Sequence, residues 1–274
     1  MDRDYTPEPR PIDPPLGREI EQERPERKAR PERCERYSIT DRERETLVDI
    51  GQFRTVAIQD LANHGYGGKS GELANDLRSL AAQGLVQRRT ALVAQGRHKL
   101  TVVVLTKAGK RAAEAGRSNP EQAVYAGFVK PGEVAHDAAI YRMFHKEAAK
   151  ILTERGTIKR VVLDYELKRK IYSPLAKARL EHPGEYSRHQ AEIAREIGLK
   201  VVDGKIPLPD LRIEYETAAG DMTKVDLELA THHYHGSHLR TKAEAGFKMY
   251  GDAAATHRSS VFEEREITAA ILSL

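Results

Sequence analysis

The chain has 274 residues, 31% of them charged and only 39% hydrophobic, so part of it lacks the apolar surface needed to pack. Lys and Arg number 45 against 41 Asp and Glu, a formal charge of +4, so any affinity for a polyanion must come from local patches. One cysteine, Cys34, excludes an internal disulfide and fits a reducing cytosol, and no run nears the roughly 18 apolar residues of a membrane span.

The opening MDRDYTPEPRPIDPP has no apolar signal segment, and a cytoplasmic protein with no membrane partner is expected. Residues 1–38 are dense in Pro, Arg and Glu and alternate in sign. Such a segment buries too little to offset its ordering entropy, and a disordered, solvated tail is expected. Its charges nearly cancel, which weighs against a nucleic-acid arm.

Residues 39–116 read as one domain. Thr40 followed by Glu43 is a capping-box signature opening a helix through TDRERETLVDIGQFRTV. AIQDLANHG is a second, short helix closed by Gly65. In SGELANDLRSLAAQGL, Leu73, Leu77, Leu80 and Ala81 fall at helical spacing, with Gly84 as the stop. NHGYGGKSG has the look of a phosphate loop, but Asn63 stands where that pattern needs Gly and a helix precedes it. It reads instead as the turn before the third helix, with Ser70 as N-cap. VQRRTALVAQGRHKLTVVVLT is a β-hairpin, and KAGKRAAEAG a closing helix.

This order resembles the winged helix-turn-helix family of bacterial DNA-binding proteins, most closely in LRSLAAQGLVQRR and LTKAGKRAAEA. The resemblance makes the third helix a recognition helix exposing Ser70, Asn75, Arg78, Ser79 and Gln83. Arg and Asn suit base edges and Ser suits phosphates. The hairpin becomes a wing whose Arg88, Arg89, Arg97, His98 and Lys99 would neutralise phosphates. Double-stranded DNA is the implied partner, and a homodimer is left open. Glu72 and Asp76 on the same helix oppose this reading, and winged helices also serve as protein-interaction adaptors.

Pro120 and Pro131 mark residues 117–132 as a linker, and residues 133–274 as a second domain. GEVAHDAAIYRMFHKEAAKILTERG is a long amphipathic helix burying Val134, Tyr141, Phe144, Ala148 and Ile151. IKRVVLDYELKRK reads as a strand with Val161, Leu163 and Tyr165 on one face and Val162, Asp164 and Glu166 on the other. SPLAKARLEHPGEYSRHQAEIAREIGL is a helical insertion. PDLRIEYE and TKVDLELAT are two strands joined by TAAGDM. LRTKAEAGFKMYGDAAA is a helix, and SSVFEEREITAAIL ends the chain as strand and helix.

Asp210 opens one of these strands, and Asp226 and Glu228 share a face of the next. Paired carboxylates on adjacent strands can hold a divalent metal, Mg²⁺ or Mn²⁺, that activates water against a phosphodiester. Glu147 could add a ligand from the long helix, or be a solvated carboxylate. His232, His233, His235 and His238 cluster after the second strand, where a Zn²⁺ cage competes with ordinary turn histidines. His136 and His145 read as partly buried helix histidines.

The pattern resembles the PD-(D/E)XK nuclease-like core and, more narrowly, the replication-relaxation family of plasmids and other mobile elements. The matching residues are AHDAAIY, VVLDYELK, PDLRI and VDLELATHHYHG, followed by a helix bearing Lys242, Lys248 and Tyr250. The resemblance implies an α/β (α+β) chain, an N-terminal winged helix followed by a restriction-endonuclease-like domain with a small mixed sheet. It also implies catalytic roles for Asp210 and Glu228, and replication or transfer of a mobile element as the setting. The chain departs from the family at Ala230, where a nuclease carries its Lys. Lys242 is the candidate substitute, and the departure favours a DNA-binding protein with an inactive nuclease-like domain over a Mg²⁺-dependent endonuclease.

Overall fold

The computed structural model describes residues 37–93, 98–230, 236–251 and 271–273. It is a mixed α/β molecule with a small antiparallel sheet and a larger mixed sheet. Residues 1–36 of the expected 1–38 tail, Arg97, His232, His233 and His235 lie outside the described residues. No described helix is long and apolar enough to cross a membrane.

Helix α1 (Asp41–Phe53) begins on the expected capping box. The Thr40 N–H donates to Glu43 at 2.7 Å and the Glu43 N–H donates to the Thr40 hydroxyl at 3.2 Å. Two of the helix's orphan donors are thereby satisfied. Strand β1 (Val56–Ala57), α2 (Ile58–Gly65) and α3 (Ser70–Ala82) follow. Leu73, Leu77 and Leu80 of α3 are buried, as their spacing requires. Ser70 is not the cap: Lys69 holds that position without a side-chain bond, and Ser70 is already helical.

Strands β2 (Val86–Val93) and β3 (His98–Leu105) pair antiparallel from Val86↔Leu105 to Val93↔His98, and the sheet order is β1-β3-β2. Helix α4 (Lys107–Gly116) is capped by Thr106, whose hydroxyl accepts from the Gly109 N–H. A Cβ at Gly109 would stand 1.9 Å from the Leu85 carbonyl oxygen, so only glycine allows this approach.

Residues 117–132 bury Val124 and Val129. The Gln122 amide group bonds both the N–H and the C=O of Val161, at 2.8 and 2.9 Å, and so covers the edge of the larger sheet. Helix α5 (Val134–Thr153) leads into β4 (Thr157–Leu163), α6 (Asp164–Glu181), α7 (Tyr186–Ile197), β5 (Leu211–Glu216) and β6 (Met222–Ala230). Helix α8 (Gly236–Ala245), β7 (Lys248–Gly251) and β8 (Ile271–Ser273) complete the described chain. The sheet order is β4-β5-β6-β7-β8, antiparallel through β6 and parallel after it.

Three expected boundaries are wrong. The strand predicted through Lys170 stops at Leu163, and Asp164, Tyr165 and Glu166 form the first turn of α6. Acidic side chains suit that position beside the positive end of a helix, and Leu167, Ile171, Leu175 and Ala178 carry the buried stripe onward. The helix predicted through residue 255 stops at Ala245, because Gly246 turns to φ +89°. Lys248 and Tyr250 therefore lie on strand β7, not on a helix. The chain end, expected as helix, carries strand β8 over Ile271–Ser273.

Helix α5 packs on one face of the larger sheet, where Glu147 meets Lys248 and Tyr250 of β7. Two further clusters hold α6, α7 and α8, the second of them against the other face of the sheet. Ile171, Leu175, Leu199 and Phe247 form one, and Ala230 and Met249 against Leu239 and Ala243 the other. Helix α5 also covers the small sheet, where Val134 and Ala138 pack with Ala57, Ala91 and Val102.

Candidate nucleic-acid surface and carboxylate site

On α3 the buried leucines turn Ser70, Asn75 and Arg78 to solvent. The Arg78 guanidinium donates to the Asn75 side-chain oxygen at 3.0 Å, so the two present one hydrogen-bonding unit. Ser79 and Gln83 do not join them. Ser79 is half-buried against α1, where it bonds Glu43. Burial alone would raise the Glu43 pKa, but the bonds from Ser79 and Thr40 outweigh it and lower it. Gln83 is held by Ser38, whose N–H donates to its side-chain oxygen at 3.0 Å.

The acids that oppose a nucleic-acid reading of α3 are engaged from the side. Glu72 pairs with Arg42 of α1 and, at 3.2 Å, with Lys69, and these cations lower its pKa. Asp76 accepts from the Tyr66 hydroxyl at 2.8 Å, and Arg42 stacks over the Tyr66 ring at 4.2 Å. Arg88 and Arg89 on β2, with His98 and Lys99 on β3, are exposed. The exposed groups of this surface are therefore cations and neutral polar side chains, with its two acids already paired.

Asp210 lies just outside β5. Extending the Arg212↔Asp226 and Leu211↔Leu227 register by one pair sets it across from Glu228. Its carboxylate accepts the Leu229 N–H at 2.9 Å. Glu228 is 1% exposed, and the Lys242 ammonium from α8 reaches it at 2.8 Å. Lys242 also donates to the Leu208 carbonyl at 2.6 Å, which ties it to the segment leading into Asp210. Asp210, Glu228 and Lys242 thus share one end of the sheet.

Asp226 does not join them as a metal ligand. Arg212 grips it with two bonds, at 2.6 and 2.9 Å, and anchors to the Ile197 carbonyl with a third nitrogen. Glu147 fits neither of its expected roles. It is buried on the opposite face, where Lys248 donates at 2.6 Å and Tyr250 at 2.5 Å. Burial opposes its charge, but these partners prevail and its pKa is lowered.

His136, at the start of α5, is the residue that sequence reasoning missed. Its imidazole stands 3.5 Å from Asp210 and 3.7 Å from Asp137. Burial disfavours the charged ring, yet the flanking carboxylates outweigh it and raise its pKa to about 10. Its one signal was the HD pair in AHDAAIY. Arg54, at φ +66°, reaches Asp137 at 3.4 Å and Glu133 at 3.3 Å while its guanidinium stacks 4.0 Å over Tyr165.

These donors do not fit a divalent cation. Asp210 faces the His136 imidazolium, Glu228 faces the Lys242 ammonium, and Asp226 is held by Arg212. Among the described residues no group of three or more His, Cys, Asp or Glu is arranged to hold a metal. His238, exposed on α8, is the one described member of the histidine cluster. Comparison of the chain with protein-family models, curated proteins and solved structures gives no match.

Proposed function

We propose that the chain is a DNA-binding protein whose residues 39–116 are a winged helix. In this reading α3 enters the major groove, and β2 and β3 are the wing. Its C-terminal half is a nuclease-like domain that does not cleave, and the setting is replication or transfer of a mobile element. That setting rests on the resemblance alone. One observation carries the reading: Glu72 and Asp76 are paired by Arg42, Lys69 and Tyr66, while Arg78, Arg88, Arg89 and Lys99 stay exposed. Phosphates approaching α3 then meet cations without facing an unpaired acid. Fluorescence anisotropy of a labelled random-sequence duplex at about 50 mM salt tests it. No binding there removes the reading.

A second reading, a metal-dependent endonuclease, draws on the convergence of Asp210, Glu228 and Lys242. Against it, each acid already faces a cation, and a lysine locked on Glu228 is not poised to orient water. Incubating supercoiled plasmid with Mn²⁺ separates the two. Intact plasmid is the expected result, and nicking lost in Asp210→Asn would establish the enzyme.

A further inference from the structure

A groove of about 720 Å³ opens between α6, α7 and the loop at 204–206, within the roughly 300–1,000 Å³ of sites that hold small organic groups. Ile171 and Leu175 form its floor, and Tyr172, Leu180 and Tyr186 its walls. Tyr172 is 55% exposed and Leu180 84%, beside the buried stripe of Leu167, Ile171, Leu175 and Ala178 on the same helix. The rim is cationic. Arg179 and Lys205 line it, Arg179 stacks 5.0 Å over the Tyr186 ring, and neither has a carboxylate partner among the described residues.

Beyond the groove, α6 carries more aromatic and cationic side chains. Tyr165, Tyr172 and Arg179 follow at seven-residue steps, about 10.5 Å each, and so share one helix face. Exposed Arg169 lies between the two tyrosines. Arg54 backs the Tyr165 ring at 4.0 Å, and Lys168 stands 5.7 Å from it. The acids of α6 pair with neighbouring cations, Asp164 with Lys168, Glu166 with Arg160 and Lys170, and Glu181 with Lys177 at 3.9 Å.

We propose that this face of α6 and the groove beside it bind single-stranded nucleic acid. Unstacked bases lie on Tyr172 and enter the apolar groove, while Arg169, Arg179 and Lys205 meet the phosphates. A duplex hides its base faces and offers nothing to such a concave aromatic wall. An apolar peptide would leave the rim cations without partners. Exposed tyrosines interleaved with unpaired cations are what a sequence-tolerant single-strand site requires. The proposal rests on the nucleic-acid reading of the chain but uses no residue of α3, β2 or β3.

Anisotropy with the full chain and labelled oligo-dT and oligo-U of about 15 nucleotides tests it, beside a duplex of the same length. At least one single strand should bind. Tyr172→Ala should weaken that binding about fivefold or more, as for loss of one stacked base, and Tyr172→Phe should preserve it. Arg179→Ala with Lys205→Ala should flatten its salt dependence. Duplex binding should be unchanged in all of these variants. The side chains are at the surface, and matching thermal midpoints will show that the variants fold. Failure of both single strands to bind overturns the proposal, as does unchanged binding by Tyr172→Ala. A duplex that binds while single strands do not leaves the winged-helix reading intact, and the reverse result removes that reading alone.

Discussion

Lys242 and Glu228 illustrate what a buried ion pair does for a fold. Glu228 is almost fully enclosed, so the pair must offset the desolvation of its carboxylate. Lys242→Met should cost about 2–4 kcal/mol, because it leaves a buried carboxylate without its lysine. Lys242→Met combined with Glu228→Gln should recover most of that loss, which a double-mutant cycle in urea measures. Asp49 behaves differently. Burial pushes its carboxyl up to about 6, although Tyr141 donates to it at 2.7 Å. A folded pKa above the unfolded one means the native state holds the proton longer, so stability falls as pH rises from about 4 to about 6. Asp49→Asn should therefore raise stability at pH 7 by about 1–3 kcal/mol and give no gain below pH 4. His145 has the opposite sign. Burial, with neighbouring His64 stacked at 4.2 Å, lowers its pKa to about 4, and the associated stability is lost as pH falls from about 6.5 to 4. His145→Phe should flatten that acid limb in pH-dependent melts.

At the scale of elements, α3 and the β2–β3 hairpin should contribute to DNA binding in separable ways. Arg78→Ala should relax sequence preference at one position by about 1–3 kcal/mol, if the arginine makes a bidentate base contact. Selection from a randomised duplex library checks this, and an unchanged preferred site would count against α3 as the reading helix. The elements themselves were largely legible. The capping box at Thr40 and the leucine stripe of α3 are local patterns, and local patterns survive in a single sequence. What failed was the choice between periods. Asp164, Tyr165 and Glu166 continue a two-residue alternation and also open a helix, and only the buried stripe from Leu167 to Ala178 decides for the helix. Contacts across elements were less legible still. Nothing local says that Arg212 stands opposite Asp226, because register is set by pairing rather than by either strand alone. His136 was missed for the same reason, since its partner Asp210 lies at the mouth of a distant strand.

For the whole molecule, α5 is the element that joins the two sheets. Its Tyr141 packs edge-on against Phe53 of α1, and its Arg142 pairs with Asp60 of α2 at 3.0 Å. Calorimetry of the full chain should accordingly give one cooperative unfolding transition, and two resolved transitions would mean that the halves unfold independently. In the proposed function, exposed cations on the hairpin meet DNA phosphates. A salt titration of duplex affinity decides this, comparing the unaltered chain with Arg88→Ala plus Arg89→Ala. Each phosphate contact contributes about 0.9 to the slope of log affinity against log salt, so the double variant should lose about two units of slope and bind all sequences more weakly. Equal slopes and equal affinities would show that these hairpin cations meet no phosphate.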